Sequence, residues 1–202
     1  MKENILKGFF KSQISEHSEI VNRCSLNLRD SFVDVVKICS KSLKRKKKIL
    51  IFGNGGSAAD AQHLSTEFTV RFSKNRKALA AISLATDTSA LTAIGNDFGF
   101  NFIFSRQIEA LGQVGDVAIG ISTSGKSKNI IFGLQEAKKM GLKCIAFTGK
   151  YTNELNKYTD AIISIPAENT SRIQEMHIMI GQMLCNAVEF NLKLAPLVKE
   201  KF

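Results

Sequence analysis

The sequence predicts an α/β fold, a central five-stranded parallel sheet with helices on both faces, preceded by N-terminal helices. Three observations predict it. Five short apolar runs are spread over residues 48–167: "KILIFG" at 48–53, "LAAISLA" at 79–85, "DVAIGIS" at 116–122, "KCIAFTG" at 143–149 and "AIISIPA" at 161–167. Each run is continuous rather than alternating, as strands buried on both faces are. Helical stretches separate them, among them "SAADAQHLSTEFTVRF", "FIFSRQIEALG" and "SKNIIFGLQEAKKMG". Strand–helix alternation of this kind builds a parallel sheet between two helical layers, a three-layer αβα sandwich.

The flanks read as helix. Over residues 3–46, apolar residues recur every three or four positions: Ile5, Leu6, Phe9, Phe10 and Ile14, then Val21, Cys24, Leu28, Phe32, Val35, Val36 and Cys39. That is the spacing of an amphipathic helix, with a break expected near residues 25–31. Two such helices ahead of the first strand cover the sheet or build an oligomer interface. The stretch from Thr170 to Leu194 reads as one long, mostly apolar helix opened by Thr170 or Ser171 as cap. The expected organisation is one domain over 1–202, with N-terminal helices at 1–47, a sheet core at 48–168 and a long helix at 169–202.

Composition narrows the function classes. A chain of 202 residues buries roughly 70% of its unfolded surface. No run of 18 or more apolar residues occurs, which argues against a membrane span. Charges are scattered through the first 20 residues, so they do not read as a signal peptide, and a cytoplasmic protein is expected. Cys24, Cys39, Cys144 and Cys185 lie far apart among apolar neighbours, as reduced core residues do. The net charge of +10 suits a binder of nucleic acid or of phosphate esters. Much of the excess is the run Lys44–Lys48, read as a solvated helix C-terminus where cations suit the dipole. Aromatic residues do not alternate with it, so a stacking surface for nucleic acid is not expected.

Two junctions carry chemistry. Ligands of open α/β sheets bind where strands end and helices begin. The first junction is Asn54-Gly55-Gly56-Ser57, where glycines allow a tight turn and close backbone approach. The second is "STSGKSKN" at 122–129, in which Ser122, Thr123, Ser124 and Ser127 precede a helix. Hydroxyls and free helix N–H groups cradle a phosphate monoester well. Ordinary strand–helix turns are the plain alternative for both. Neither turn matches the dinucleotide or P-loop signature. His63 and Glu67 are four apart on one expected helix and so share a face. That pair suits zinc or another divalent ion, or a simple surface contact.

Four motifs in order, "GNGGSAADAQH", "LTAIGNDFGF", "GISTSGKSKN" and "RIQEMHI", resemble the sugar isomerase (SIS) domain family over residues 48–185. Within it they are most similar to the branch that isomerises sedoheptulose 7-phosphate. The resemblance implies a flavodoxin-like sandwich, a cytoplasmic homotetramer, a sugar-phosphate substrate and a zinc ion. The reaction it implies interconverts sedoheptulose 7-phosphate and glycero-manno-heptose 7-phosphate, the first step toward the heptose of surface polysaccharide. Carried over by residue, Asn54, Gly55, Gly56 and Ser57 lie along the sugar and phosphate. Ser122, Thr123, Ser124 and Ser127 hold the phosphate, and Asn96 and Asp97 bond sugar hydroxyls. His63, Glu67 and Gln174 match three of four zinc ligands, with Glu67 as the base and Gln174 also touching substrate. A carboxylate can take a proton from one carbon and return it to the next through an enediol.

One residue departs from the pattern. The family's fourth ligand and general acid is a histidine eight residues after Gln174; here that position is Gln182. An amide oxygen can reach a metal but cannot donate a proton as imidazolium does. His177 is no easy substitute, being about 140° from Gln182 around a helix of 3.6 residues per turn. A second branch, a DnaA-binding replication initiation factor that is not an isomerase, shares "RIQEMH" but lacks the glutamate kept here as Glu67.

Overall fold

The structure, a computed structural model, describes residues 2–197. The chain opens with α1 (Lys2–Asn27) and α2 (Arg29–Lys44), broken at Leu28 inside the expected window. The sheet follows: β1 (Ile49–Gly53), α3 (Gly56–Thr69), β2 (Ala81–Ser83), α4 (Thr88–Asp97), α5 (Ser105–Leu111), β3 (Val117–Ser122), α6 (Lys128–Lys139), β4 (Lys143–Thr148) and β5 (Ala161–Ser164). The long α7 (Thr170–Asn191) closes the fold. The strand order is β2-β1-β3-β4-β5, and every pair is parallel. This is the flavodoxin-like order, whose ligand crevice lies at the switch point between β1 and β3.

Alternate residues of each strand feed two cores. Ile49, Ile51, Val117, Ile119, Ile121, Ile145 and Phe147 face α2, α3 and α7. Leu50, Phe52, Ala118, Cys144 and Ala146 face α5 and α6. Sheet burial on both sides explains why β1 and β3 read as unbroken apolar runs. The four cysteines are free and buried, as expected; burial lifts the thiols of Cys39 and Cys144 to about 12.

Several boundaries differ from expectation. The edge strand β2 keeps only three residues of the run at 79–85. Residues 88–97, with no helix expected, form α4 because the Asp87 side chain accepts from Ala90 N at 2.9 Å and caps it. The cap of α7 is Asn169, whose side chain accepts from Ser171 N at 3.0 Å, not Thr170 or Ser171. That helix ends at Asn191, where the chain turns and Lys193 takes φ 61. Residues 198–202 of the expected helix lie outside the described residues. The basic run caps α2 as expected at Lys44 and Arg45, but Lys48 turns inward to Asp116, 2.5 Å away and 1% exposed.

Candidate active site

The two junctions meet at the switch point. Asn54, just past β1, and Asn129, in the first turn of α6, exchange reciprocal amide hydrogen bonds of 2.9 and 2.8 Å. Asn129 is buried and escaped notice in the sequence, because only its partner lies in a glycine turn. Gly55 holds φ 55, left-handed backbone that glycine adopts without strain. Ser57 is buried, its side chain against the backbone of Gly53.

The second junction is a ring of hydroxyls. Ser122 Oγ donates to Ser127 Oγ at 3.2 Å and lies 3.5 Å from Ser124 Oγ. Ser124 Oγ in turn accepts from Lys126 N at 3.2 Å. Ser122 is buried, Thr123 and Ser127 are half-buried, and Ser124 is exposed, so the ring opens outward at the N-terminus of α6. An anion here would meet hydroxyls and the positive end of the helix dipole. Lys126 beside it stacks its ammonium on Tyr151, 4.1 Å from the ring centre.

The third part is a pair of helices. A Cβ on Gly56 would stand 2.5 Å from Gln174 Nε2, and one on Gly181 would stand 2.7 Å from Leu64. Contacts at 56/174 and 64/181 mean that α3 and α7 run side by side in one direction. Gln174 therefore stands at the glycine turn, and Gln182 is level with His63. His63 Nε2 and Glu67 Oε1 are 3.1 Å apart, Glu67 being the less exposed. Burial pushes the Cys185 thiol on α7 well up, and the charge of Glu67 adds to it.

Asp60, one turn before His63 on α3, was missed by the sequence reading although its spacing from His63 and Glu67 marks one helix face. Its Oδ2 is buried without a partner. Burial raises its carboxyl above the usual range, and His63 pulls the other way. Asn96 and Asp97 end α4 on the surface, where Asn96 Nδ2 donates to Asp97 Oδ1 at 2.8 Å. Among the described residues no hydrogen bond links them to the other junctions. His177 is fully buried and donates through Nε2 to the Thr148 carbonyl at 3.2 Å, so it faces the sheet and not the Gln182 side.

As a metal centre the arrangement has two strong donors. His63 and Glu67 are adjacent and fit a divalent ion, with amide oxygens of Gln174 and Gln182 as the remaining donors. Gln174 and Gln182 are eight residues apart, about 12 Å along α7, so both side chains would have to turn toward a shared ion. Among the described residues no group of three or more His, Cys, Asp and Glu gathers.

A sequence profile of the SIS domain family matches residues 14–149, two thirds of the chain. The chain belongs to the SIS domain family. Phosphoheptose isomerase of Paramagnetospirillum magneticum is 51% identical over 181 residues, covering 90% of this chain and 94% of the relative. That of Campylobacter jejuni serotype O:2 is 51% identical over 86% of this chain and 93% of its own. The structure of phosphoheptose isomerase from Neisseria gonorrhoeae superimposes with a TM-score of 0.87 at 38% identity, over 92% of this chain and 99% of that one. Relatives at this level do not favour the DnaA-binding branch. No described helix of this SIS protein is long and apolar enough to cross a membrane.

Proposed function

We propose that the protein is a sugar-phosphate isomerase that converts sedoheptulose 7-phosphate to D-glycero-D-manno-heptose 7-phosphate. The observation that carries this reading is the His63–Glu67 pair, 3.1 Å apart on the helix that follows the Asn54–Ser57 turn, in a chain 51% identical to a phosphoheptose isomerase over nine tenths of its length. The Ser122–Ser127 turn holds the phosphate, and Asn54 to Ser57 with Gln174 line the sugar. Glu67 removes the proton from C1 of the ketose, giving an enediol, and returns it to C2. Proton exchange between the two oxygens needs a second acid–base group, and Gln182 cannot be that group. A water or another side chain fills the role.

His63 and Glu67, with the Gln174 and Gln182 amides, would hold a zinc or similar ion. Such an ion supplies stabilisation of the negative charge that develops on oxygen. The protein works in the cytoplasm as a homotetramer, at the first step toward the heptose of surface polysaccharide. Supporting the tetramer, α1 exposes Ile5, Leu6, Phe9, Phe10 and Ile14, and an apolar groove of about 260 Å³ lies between α1, α2 and α7. Faces of this kind mark partner surfaces. Light scattering at micromolar concentration should give four times the chain mass; a monomer contradicts it. The deciding assay is turnover of sedoheptulose 7-phosphate with and without zinc. A folded, zinc-supplied protein that leaves it unchanged removes the isomerase reading.

A further inference from the structure

The end of α3 is held by a buried ion pair that reaches across the chain. Glu67 lies in the last turn of α3, where backbone carbonyls have no helical N–H to accept from. Arg76 supplies the donors. Its Nη2 donates to the Glu67 carbonyl at 2.8 Å and its Nη1 to the Phe68 carbonyl at 2.7 Å. The same guanidinium donates through Nε to Glu189 Oε1, on α7, at 2.7 Å. Glu189 also accepts from Phe72 N at 3.0 Å and Ser73 Oγ at 3.5 Å. The side chains are 2% and 0% exposed.

A buried ion pair is poor evidence of a need for stability, because an apolar pair of similar volume often serves as well. Its geometry is more telling. Only a planar fork reaches two carbonyls and a carboxylate at once; a lysine ammonium is a single point. The contact of Gly56 with Gln174 fixes the two helices at their N-terminal ends. Arg76 and Glu189 fix them at the other, and His63 and Glu67 lie between.

We propose that the Arg76–Glu189 pair is a positioning device for Glu67: it sets the last turn of α3 against α7 and so fixes where the Glu67 carboxylate stands relative to His63. In its kinetic arm the inference rests on the isomerase reading; in its structural arm it does not.

Two variants test it. Arg76→Met with Glu189→Met removes both charges together and leaves none unpaired, so the fold should persist. Arg76→Lys keeps the charge and loses the fork. In each, kcat with sedoheptulose 7-phosphate should fall about tenfold to a hundredfold, the scale of a 1 Å misplacement, while KM moves less than about threefold. A purely structural pair would instead lower the unfolding temperature and leave kcat of the folded enzyme alone. A crystal structure of the double variant, or of Arg76→Lys if the double variant does not fold, should show the 3.1 Å His63–Glu67 contact moved by about 1 Å. Wild-type kcat in a folded variant, or an unmoved Glu67, overturns the proposal. Should wild type be inert on the sugar phosphate, the isomerase reading fails by itself and the crystal structure alone decides the positioning.

Discussion

The two parts of the candidate site are built from opposite materials. The β3–α6 turn has four hydroxyls within six residues and neither imidazole nor carboxylate. The α3–α7 pair carries His63, Glu67, Gln174 and the unpartnered Asp60, drawn from helices more than 100 residues apart in sequence. An anion of fixed charge needs only donors, which a short turn supplies from its own backbone and side chains. Moving a proton between carbons needs a titratable group held by packing, which takes two elements. Binding and chemistry should therefore fail separately, KM at the turn and kcat at the helices.

Glu67→Gln gives the largest expected effect. It removes the proton acceptor and keeps size, so kcat should drop about 100- to 10,000-fold with KM little changed. Circular dichroism should stay that of wild type. Near-wild-type turnover in this variant would mean that the helix pair does not hold the base and would break the contrast between the two parts.

Gln182→His comes next. Imidazole is a stronger zinc ligand than an amide and a proton donor near neutral pH. Gln182 lies within a turn of His63 along the paired helices, so kcat should rise by about a hundredfold if an acid is missing there. Zinc affinity, read by competition with a chelating dye, should rise with it. An active wild type that this change does not improve already has another acid.

How far each part was legible in the sequence follows the same division. The hydroxyl turn is local: Ser122 to Ser127 are consecutive and follow a strand, so the chain alone displays them. The strands were legible because burial on both faces leaves continuous apolar runs, although β2, at the edge, shrank to three residues. His63 and Glu67 were visible as a pair through helical spacing. The assignment of Gln174 and Gln182 to one ion with His63 and Glu67 came through resemblance, since nothing local ties them to residues over 100 positions away. The Asn54–Asn129 and Arg76–Glu189 partnerships, 75 and 113 residues apart, were not legible at all. Such pairings depend on strand order, which brings β1 beside β3 and α3 beside α7. α4 was missed because it is short and only Leu91 and Ile94 of its ten residues pack on the core, too few to stand out as a stripe.

At the binding part the effect should be smaller and of the other kind. Ser124→Ala removes an exposed hydroxyl that accepts from Lys126 N at 3.2 Å. A hydrogen bond to a charged group contributes about 1.5–3 kcal/mol, so KM for the sugar phosphate should rise about tenfold or more. The value of kcat should hold within about threefold, and inorganic phosphate should inhibit more weakly. A loss confined to kcat would place the turn among the reacting groups.

The smallest effect concerns the residue that joins the two parts. His177 belongs to α7 but donates to the Thr148 carbonyl, and Gly149 N, the next residue, donates to the Thr123 carbonyl at 3.1 Å. Its Nδ1 is buried without a partner, so a second proton would put an N–H in the core with no acceptor. Burial accordingly lowers its pKa from 6.5 to about 4, with the Thr148 hydrogen bond acting the other way. The unfolded chain thus binds this proton more readily than the folded one. The stability gained by keeping the ring neutral is whole above about pH 6.5 and is lost as pH falls toward 4. Between about pH 7 and pH 5.5 the loss should be on the order of 1 kcal/mol. His177→Gln keeps a donor for Thr148 and cannot titrate. Urea unfolding should show that variant losing less stability than wild type over the same interval, whatever its absolute midpoint. Equal slopes would mean that the ring already finds an acceptor for its second proton, and acid would then leave the link between α7 and the phosphate turn intact.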